Sequence, residues 1–163
     1  MSAALRRSIG VAAAAAAVMA VAVAPAAASP SRSGGQEYFL ITIADNHQSV
    51  VAHGAFADAG KDIDHDQSDS LHFARGNLEI YHPDSKSHFS YTLNPKTCFL
   101  TFKITGKYTL GAGTGSYAGL TGHGHYVVRE QAIAPRKNGA CNINTEPTHL
   151  AGYVQGSGPV SWS

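Results

Sequence analysis

Apolar and polar residues alternate along much of this chain, the pattern of strands that bury one face. The alternation is cleanest at 88–93, where Phe89, Tyr91 and Leu93 take every second position. It recurs at 98–105, and Tyr108 is positioned to continue that strand beyond Gly106. Together with the intervening turn residues, the pattern predicts strands at 38–45, 50–58, 70–75, 78–82, 88–93, 98–105 and 125–133, and a last strand broken between 150–154 and 160–162.

Polar residues, glycines and prolines separate the predicted strands. Gly76 and Asn77 form a two-residue hairpin signal. The acidic stretch 59–69 and the segment 134–147 are predicted as loops. About eight strands without a convincing helix favour a closed antiparallel barrel or a sandwich.

A glycine-rich run occupies residues 111–126, with six glycines in sixteen positions. An ordinary helix is excluded, because each interior glycine costs about 1 kcal/mol relative to alanine. We predict that Gly113 and Gly115 supply a positive φ or a β-bulge, and that Tyr117 packs against the end of the barrel. Gly119 and Gly122 are assigned to the same structural turn. The alternative, a ligand cradle, lacks the lysine and the strand–loop–helix setting of a phosphate loop.

The segment from Gly113 to Gly122, in which Gly-Thr-Gly is followed by Tyr117 and Gly119, resembles the glycine-rich segment of the allene oxide cyclase and dirigent superfamily. The resemblance is strong over 105–128 only. Members of that superfamily are eight-stranded barrels of calycin-like shape, so the resemblance implies an all-β, eight-stranded antiparallel barrel spanning 37–163. The leader, the Asn-Pro-Lys-Thr-Cys segment ending at Cys98 and the second cysteine also resemble a group of small secreted actinobacterial proteins.

The first 28 residues have the pattern of a signal peptide. Arg6 and Arg7 precede an apolar, alanine-rich stretch, and small residues stand before Ser29. A retained membrane anchor is the alternative, but Pro25 interrupts the stretch before it would span a bilayer comfortably. We therefore expect a secreted, extracellular protein without a membrane in its mature form, with residues 29–36 as a disordered lead-in.

The remaining chain of about 135 residues is long enough for one domain with a real core. It carries ten Lys or Arg against eleven Asp or Glu, a formal charge of −1, and no basic patch. Nucleic acid is therefore not expected as a partner. All nine histidines lie in this part of the chain, which allows a pH-dependent charge.

Two cysteines, Cys98 and Cys141, are predicted to form a disulfide in an oxidising compartment. Their separation is wrong for a redox Cys-x-x-Cys motif, and two cysteines alone are too few for a structural zinc site. The bond is expected to tie the loop-rich last third of the chain to a central strand.

Asp62, Asp64 and Asp66 stand at alternate positions, as at the start of an EF-hand loop. The match then fails, because Gln67 replaces the required glycine and Phe73 the terminal glutamate. A weak Ca²⁺ site remains a candidate, since clustered oxygens bind hard cations, and Asp58 and Asp69 are available as further ligands. The alternative is a solvated acidic turn.

Two histidines, His123 and His125, lie two residues apart and share one face of a strand. They are the start of a zinc or copper site only if a third ligand such as His72, His82 or His88 joins them. Proton transfer inside a barrel would need an inward ionisable group. The strand-borne candidates are Glu37, Asp45, Arg75, Glu79, Lys103, Arg129 and Glu130.

Three functions are compatible with the predicted secreted barrel. The first is a secreted barrel that binds a small apolar or aromatic molecule in its interior. The second, implied by the resemblance, is a cyclase- or dirigent-type, isomerase-like enzyme, although neither family's catalytic residues match positions in this chain. The third is an extracellular protein-interaction module. Dirigent-like barrels associate as trimers or dimers, so an oligomer is compatible with each.

Overall fold

The computed structural model describes residues 33–163. Eleven strands form in this part of the chain, with two single-turn 3-10 helices at Asp84–Lys86 and Gly115–Tyr117. The strands are β1 (Gly35–Ala44), β2 (His47–Gly54), β3 (Asp58–His65), β4 (Ser68–Phe73), β5 (Gly76–Tyr81), β6 (His88–Asn94), β7 (Phe99–Gly113), β8 (Leu120–Ile133), β9 (Arg136–Lys137), β10 (Ala140–Cys141) and β11 (His149–Trp162).

Eight of these strands close into an antiparallel barrel. Their order around the ring is β1, β2, β3, β4, β5, β7, β8 and β11, and β11 pairs with β1 to complete it. β6 pairs with the first half of β7 outside the ring, whereas β5 pairs with the second half. The predicted fold class, an all-β eight-stranded barrel, is confirmed, and closure leaves few exposed strand edges.

Alternation along β1 places the core as the sequence predicts. Phe39, Ile41 and Ile43 are buried, while Tyr38 and Leu40 between them are exposed on the outside. The inward residues of β2, Val50 and Ala52, are also buried. One face of each strand therefore builds the interior of the barrel.

The glycine-rich run closes one end of the barrel, which we call the closed end. Tyr117 is 1% exposed. Its ring lies 4.9 Å from that of Phe56 and 5.3 Å from that of Phe73. Gly115 has φ +59, and a Cβ there would meet the Arg75 carbonyl oxygen at 2.4 Å. A Cβ on Gly113, Gly119 or Gly122 would lie 2.0, 2.9 or 2.7 Å from a backbone oxygen.

The loop predicted at 59–69 is wrong, because residues Asp58–His65 form β3 and pair with β4. The segment alternates, but its inward positions Gly60, Asp62 and Asp64 are small or acidic, and the outward Ile63 is apolar and exposed. A strand whose inner face lines a polar part of the interior lacks the apolar signature by which strands are recognised.

The predicted turn at Gly76 and Asn77 is also wrong. The turn lies at 74–75, and both residues begin β5. Gly76 is needed for close packing, since a Cβ there would lie 2.1 Å from the Thr114 carbonyl oxygen. The expected break in the last strand is absent, because β11 runs unbroken past Gly156 and Gly158.

The disulfide between Cys98 and Cys141 is confirmed, with a Cα–Cα distance of 5.3 Å. Cys98 immediately precedes β7 and is buried in a small second core with Leu100 and Ala132. Cys141 belongs to the short β9–β10 hairpin inside the predicted 134–147 loop. The bond therefore joins that segment to the start of a central strand, as expected.

The predicted signal peptide at 1–28, and the lead-in as far as residue 32, lie outside the described residues. Gly35 and Gln36, assigned to the lead-in, instead begin β1 and pair with Val160 and Pro159. Within residues 33–163, no helix is long and apolar enough to cross a membrane.

Candidate functional site

A cavity of about 690 Å³ occupies the half of the barrel away from Tyr117. It lies where β1 ends and β2 begins, and where the β3–β4 turn and the loops flanking β6 also lie. We call this the open end. The volume falls in the range of pockets that enclose drug-sized molecules. The barrel interior is therefore packed at one end and hollow at the other.

The deep wall of the cavity is apolar. It is built by inward residues of five neighbouring strands, β5, β7, β8, β11 and β1, which follows from the alternation along each. These residues are Phe39, Ile41, Ile43, Ile80, Ile104, Tyr108, Val128 and Val154. Such a wall favours the burial of an apolar molecule by roughly 25 cal/mol per Å².

Carboxylates line the wall of the cavity on the β3–β4 side. Asp62 and Asp64 of β3 lie two residues apart and both point inward. Asp69 of β4 is directly opposite Asp64 in the antiparallel register. We call these three side chains the acidic cluster. Hairpin register, rather than sequence spacing alone, brings the third carboxylate to the other two.

Asp62 is the most buried member of the acidic cluster, at 8% exposure. Its Oδ1 is buried without a hydrogen-bond partner. Burial raises the pKa of this carboxyl to about 7, and the negative charges of Asp69 and Asp64 add to the effect. A buried polar atom without a partner is costly, so this oxygen is available to a bound group.

His82, just after β5, joins the acidic cluster. Its Nε2 lies 3.3 Å from Asp69 Oδ2. The hydrogen bond to Asp69 raises the pKa of His82, although burial opposes it. One ligating atom each from Asp64, Asp69 and His82 lie within 4.8 Å of one another. Carboxylate and imidazole atoms at such separations are a donor set suited to a metal ion.

Glu130 of β8 lies across the barrel and also lines the cavity. Burial raises its pKa, and the charge of Asp64 contributes, so the two carboxylates interact through the lumen. Tyr126 lies four residues before Glu130 on the same face of β8. Its ring lies 5.9 Å from that of His82. Among the described residues, no Lys or Arg lines the cavity.

The structure brings together only part of each predicted metal set. Asp62, Asp64 and Asp66 all line the cavity, but the close-packed group pairs Asp64 with Asp69 and His82. His123 and His125 share a face, as predicted, but it is the exposed outer face of β8. Within the described residues they belong to no group of three metal-ligating side chains.

Arg75 does not enter the lumen. Its side chain is 52% exposed, and its Nε pairs with Asp58 Oδ2 at 3.0 Å. Asp58 also accepts a hydrogen bond from the Tyr117 hydroxyl at the closed end. Burial alone would raise the pKa of Asp58, but the hydrogen bonds from Tyr117, Arg75 and the Ala59 N–H lower it to about 2. This network therefore stabilises the closed end rather than serving the cavity.

Glu37 is a second buried acid, completely enclosed near the closed end. Its Oε2 accepts a hydrogen bond of 3.0 Å from the Phe56 N–H, while Oε1 has no partner. Burial raises the pKa of Glu37 despite that hydrogen bond. The hydroxyl of Tyr108 is also without a partner; burial raises its pKa to about 12, and the charge of Glu37 adds to the effect.

An aromatic strip runs from the open end along β6. Phe89, which also lines the cavity, is 59% exposed, and its ring lies 5.8 Å from those of Tyr91 and Phe102. Sequence alternation predicts Phe89 and Tyr91 on one face, but not that the face is exposed. It is exposed because β6 pairs outside the ring.

Comparisons with protein-family models, with curated proteins and with solved structures found no match to this chain. The resemblance of the glycine-rich segment to allene oxide cyclases and dirigent proteins stays a prediction from the sequence. The chemistry of the site follows from its geometry: an apolar cavity with carboxylates, an imidazole and a phenol at its open end.

Proposed function

We propose that this protein is a secreted barrel that binds a small molecule with an apolar or aromatic body. The observation that carries the proposal is the open cavity of about 690 Å³ and its apolar deep wall. A small barrel whose interior serves stability alone is filled with close-packed side chains, as this barrel is at the closed end. Secretion is supported by the leader-like first 28 residues and by the disulfide.

The acidic cluster and Glu130 restrict the polar end of the ligand. Carboxylates surround the open end, and no Lys or Arg of the described residues lines the cavity. An anionic group would meet like charges in a partly desolvated site, which is unfavourable. In the metal-free site the ligand therefore carries a neutral or cationic polar end, and its apolar body lies against Ile41, Val128 and Val154.

Binding is tested with the neutral fluorescent probe N-phenyl-1-naphthylamine. We expect saturable enhancement with the wild-type protein and its loss in Val154→Trp, which fills the cavity. Val51→Trp is the matched control, because Val51 is 49% exposed on the outside of the barrel. Circular dichroism confirms that both variants fold. A wild-type protein that does not bind the probe, or equal binding by both variants, contradicts the proposal.

A second candidate is an isomerase-like enzyme of the cyclase or dirigent type. The observation that favours it is the pairing of Glu130 and Tyr126 on one strand face beside the apolar wall. A carboxyl and a phenol there would accept and donate a proton on one bound molecule. Liquid chromatography coupled to mass spectrometry, which separates isomers of equal mass, tests it on a host extract incubated with wild type or Glu130→Gln. A new peak of unchanged mass that forms only when Glu130 is present supports catalysis, and an unchanged extract contradicts it.

A further inference from the structure

We propose that the open end of the barrel is a binding site for a divalent first-row transition-metal ion, Zn²⁺ or Mn²⁺. Its ligands are His82, Asp69 and Asp64, with Asp62 as the fourth. These ligands lie at the open end, whereas the proposed apolar ligand binds against the deep wall, so the metal site does not rest on the proposed function.

The first observation is the spacing of the ligand atoms. Atoms bound 2.0–2.1 Å from a tetrahedral ion lie about 3.3 Å from one another. His82 Nε2 and Asp69 Oδ2 are already 3.3 Å apart. Asp64 supplies a carboxylate oxygen that lies within 4.8 Å of one ligating atom of Asp69 and one of His82, close enough for all three side chains to bind one ion.

The second observation is independent of that spacing. Asp62 is 8% exposed, lines the same cavity, and has a buried Oδ1 without a hydrogen-bond partner. It lies two residues before Asp64 on the same inward face of β3, so the two side chains are neighbours along the strand. A cation between them would satisfy this oxygen and offset the mutual repulsion of the carboxylates.

The ligand types select the class of ion. Ca²⁺ and Mg²⁺ prefer shells built of oxygen, whereas imidazole suits Zn²⁺ and other transition metals. A histidine within a group of carboxylates therefore favours Zn²⁺ or Mn²⁺ over the Ca²⁺ expected from the Asp62, Asp64 and Asp66 spacing. Asp66, with φ +48 in the β3–β4 turn, is not one of the three close-packed ligands.

Isothermal titration calorimetry of the protein with Zn²⁺, Mn²⁺ and Ca²⁺ tests this site. We expect one Zn²⁺ or Mn²⁺ per chain, with affinity reduced roughly tenfold or more in His82→Asn. Asp64→Asn is the second variant, used if His82→Asn does not fold.

The matched control is the double variant His123→Asn, His125→Asn, which removes the exposed histidine pair on β8 and should bind as tightly as wild type. Three results would overturn the proposal. One is the absence of saturable binding of Zn²⁺ or Mn²⁺. Another is loss of binding in the control but not in His82→Asn. The third is tighter binding of Ca²⁺ than of either transition metal.

Discussion

Replacing Tyr117 with Phe should destabilise the closed end by removing the contacts of its hydroxyl with Asp58 and Arg75. The ring, which contacts Phe56 and Phe73, is retained. The hydroxyl that donates to Asp58 is lost. The pKa of Asp58 falls from 3.8 to about 2 on folding, because hydrogen bonds outweigh the opposing effect of burial. A shift of that size corresponds to roughly 2 kcal/mol, and the Tyr117 bond is the largest of the contributions that lower the pKa.

The sign of the pH dependence follows from the lowered pKa. Asp58 stabilises the fold fully above its unfolded pKa of 3.8, and that contribution is lost as the pH falls towards about 2. Urea denaturation should therefore show that Tyr117→Phe costs about 1–2 kcal/mol near neutral pH, and clearly less near pH 2. Tyr153→Phe, on the outer face of β11, is the control and should cost little. An equal cost at both pH values would refute the reasoning, because a packing defect does not titrate.

Three further predictions concern the fold. Replacing Cys98 and Cys141 with Ala should cost about 4 kcal/mol in urea denaturation, because the bond closes a loop of 43 residues; a loss under about 1 kcal/mol would contradict the constraint. Glu37→Gln should flatten the pH dependence of stability. Because the pKa of Glu37 is raised on folding, this carboxyl stabilises the folded wild type fully below pH 4.5, its unfolded pKa, and that stabilisation is lost as the pH rises through the folded pKa. Melting temperatures that depend on pH equally in wild type and Glu37→Gln would contradict this. Gly115→Ala should cost about 2 kcal/mol or more in chemical denaturation, because its Cβ would meet the Arg75 carbonyl. Gly139→Ala is the control: Gly139 also has positive φ, but a Cβ there meets no atom within 4 Å, so it should cost about 1 kcal/mol. Equal losses would show that the Arg75 carbonyl contact is unimportant.

The sequence predicts the strands whose inner face is apolar. Phe39, Ile41 and Ile43 mark β1, and the series from Cys98 marks β7, because each buries one face against a packed or apolar interior. β3 escapes recognition for the opposite reason. Its inward positions include Asp62 and Asp64, which face the cavity, so the hydrophobic pattern is inverted. The strand that contributes most to the candidate site is therefore the one that periodicity misses.

The site itself is predictable only in part. The spacing of Asp62 and Asp64 identifies them as candidates for one polar face. Their partners need strand register: Asp69 is opposite Asp64 only after the β3–β4 hairpin is formed. His82 follows β5 and Glu130 belongs to β8, so both come from parts of the chain outside the β3–β4 hairpin. Alternation indicates which residues share a face, but not which strands become neighbours when the barrel closes.

Native mass spectrometry of the protein secreted by its own host tests the central claim, an occupied barrel interior, most directly. We predict a population that carries one small molecule with an apolar body, absent from Val154→Trp and present in Val51→Trp. A protein of unliganded mass that also fails to bind N-phenyl-1-naphthylamine would contradict it.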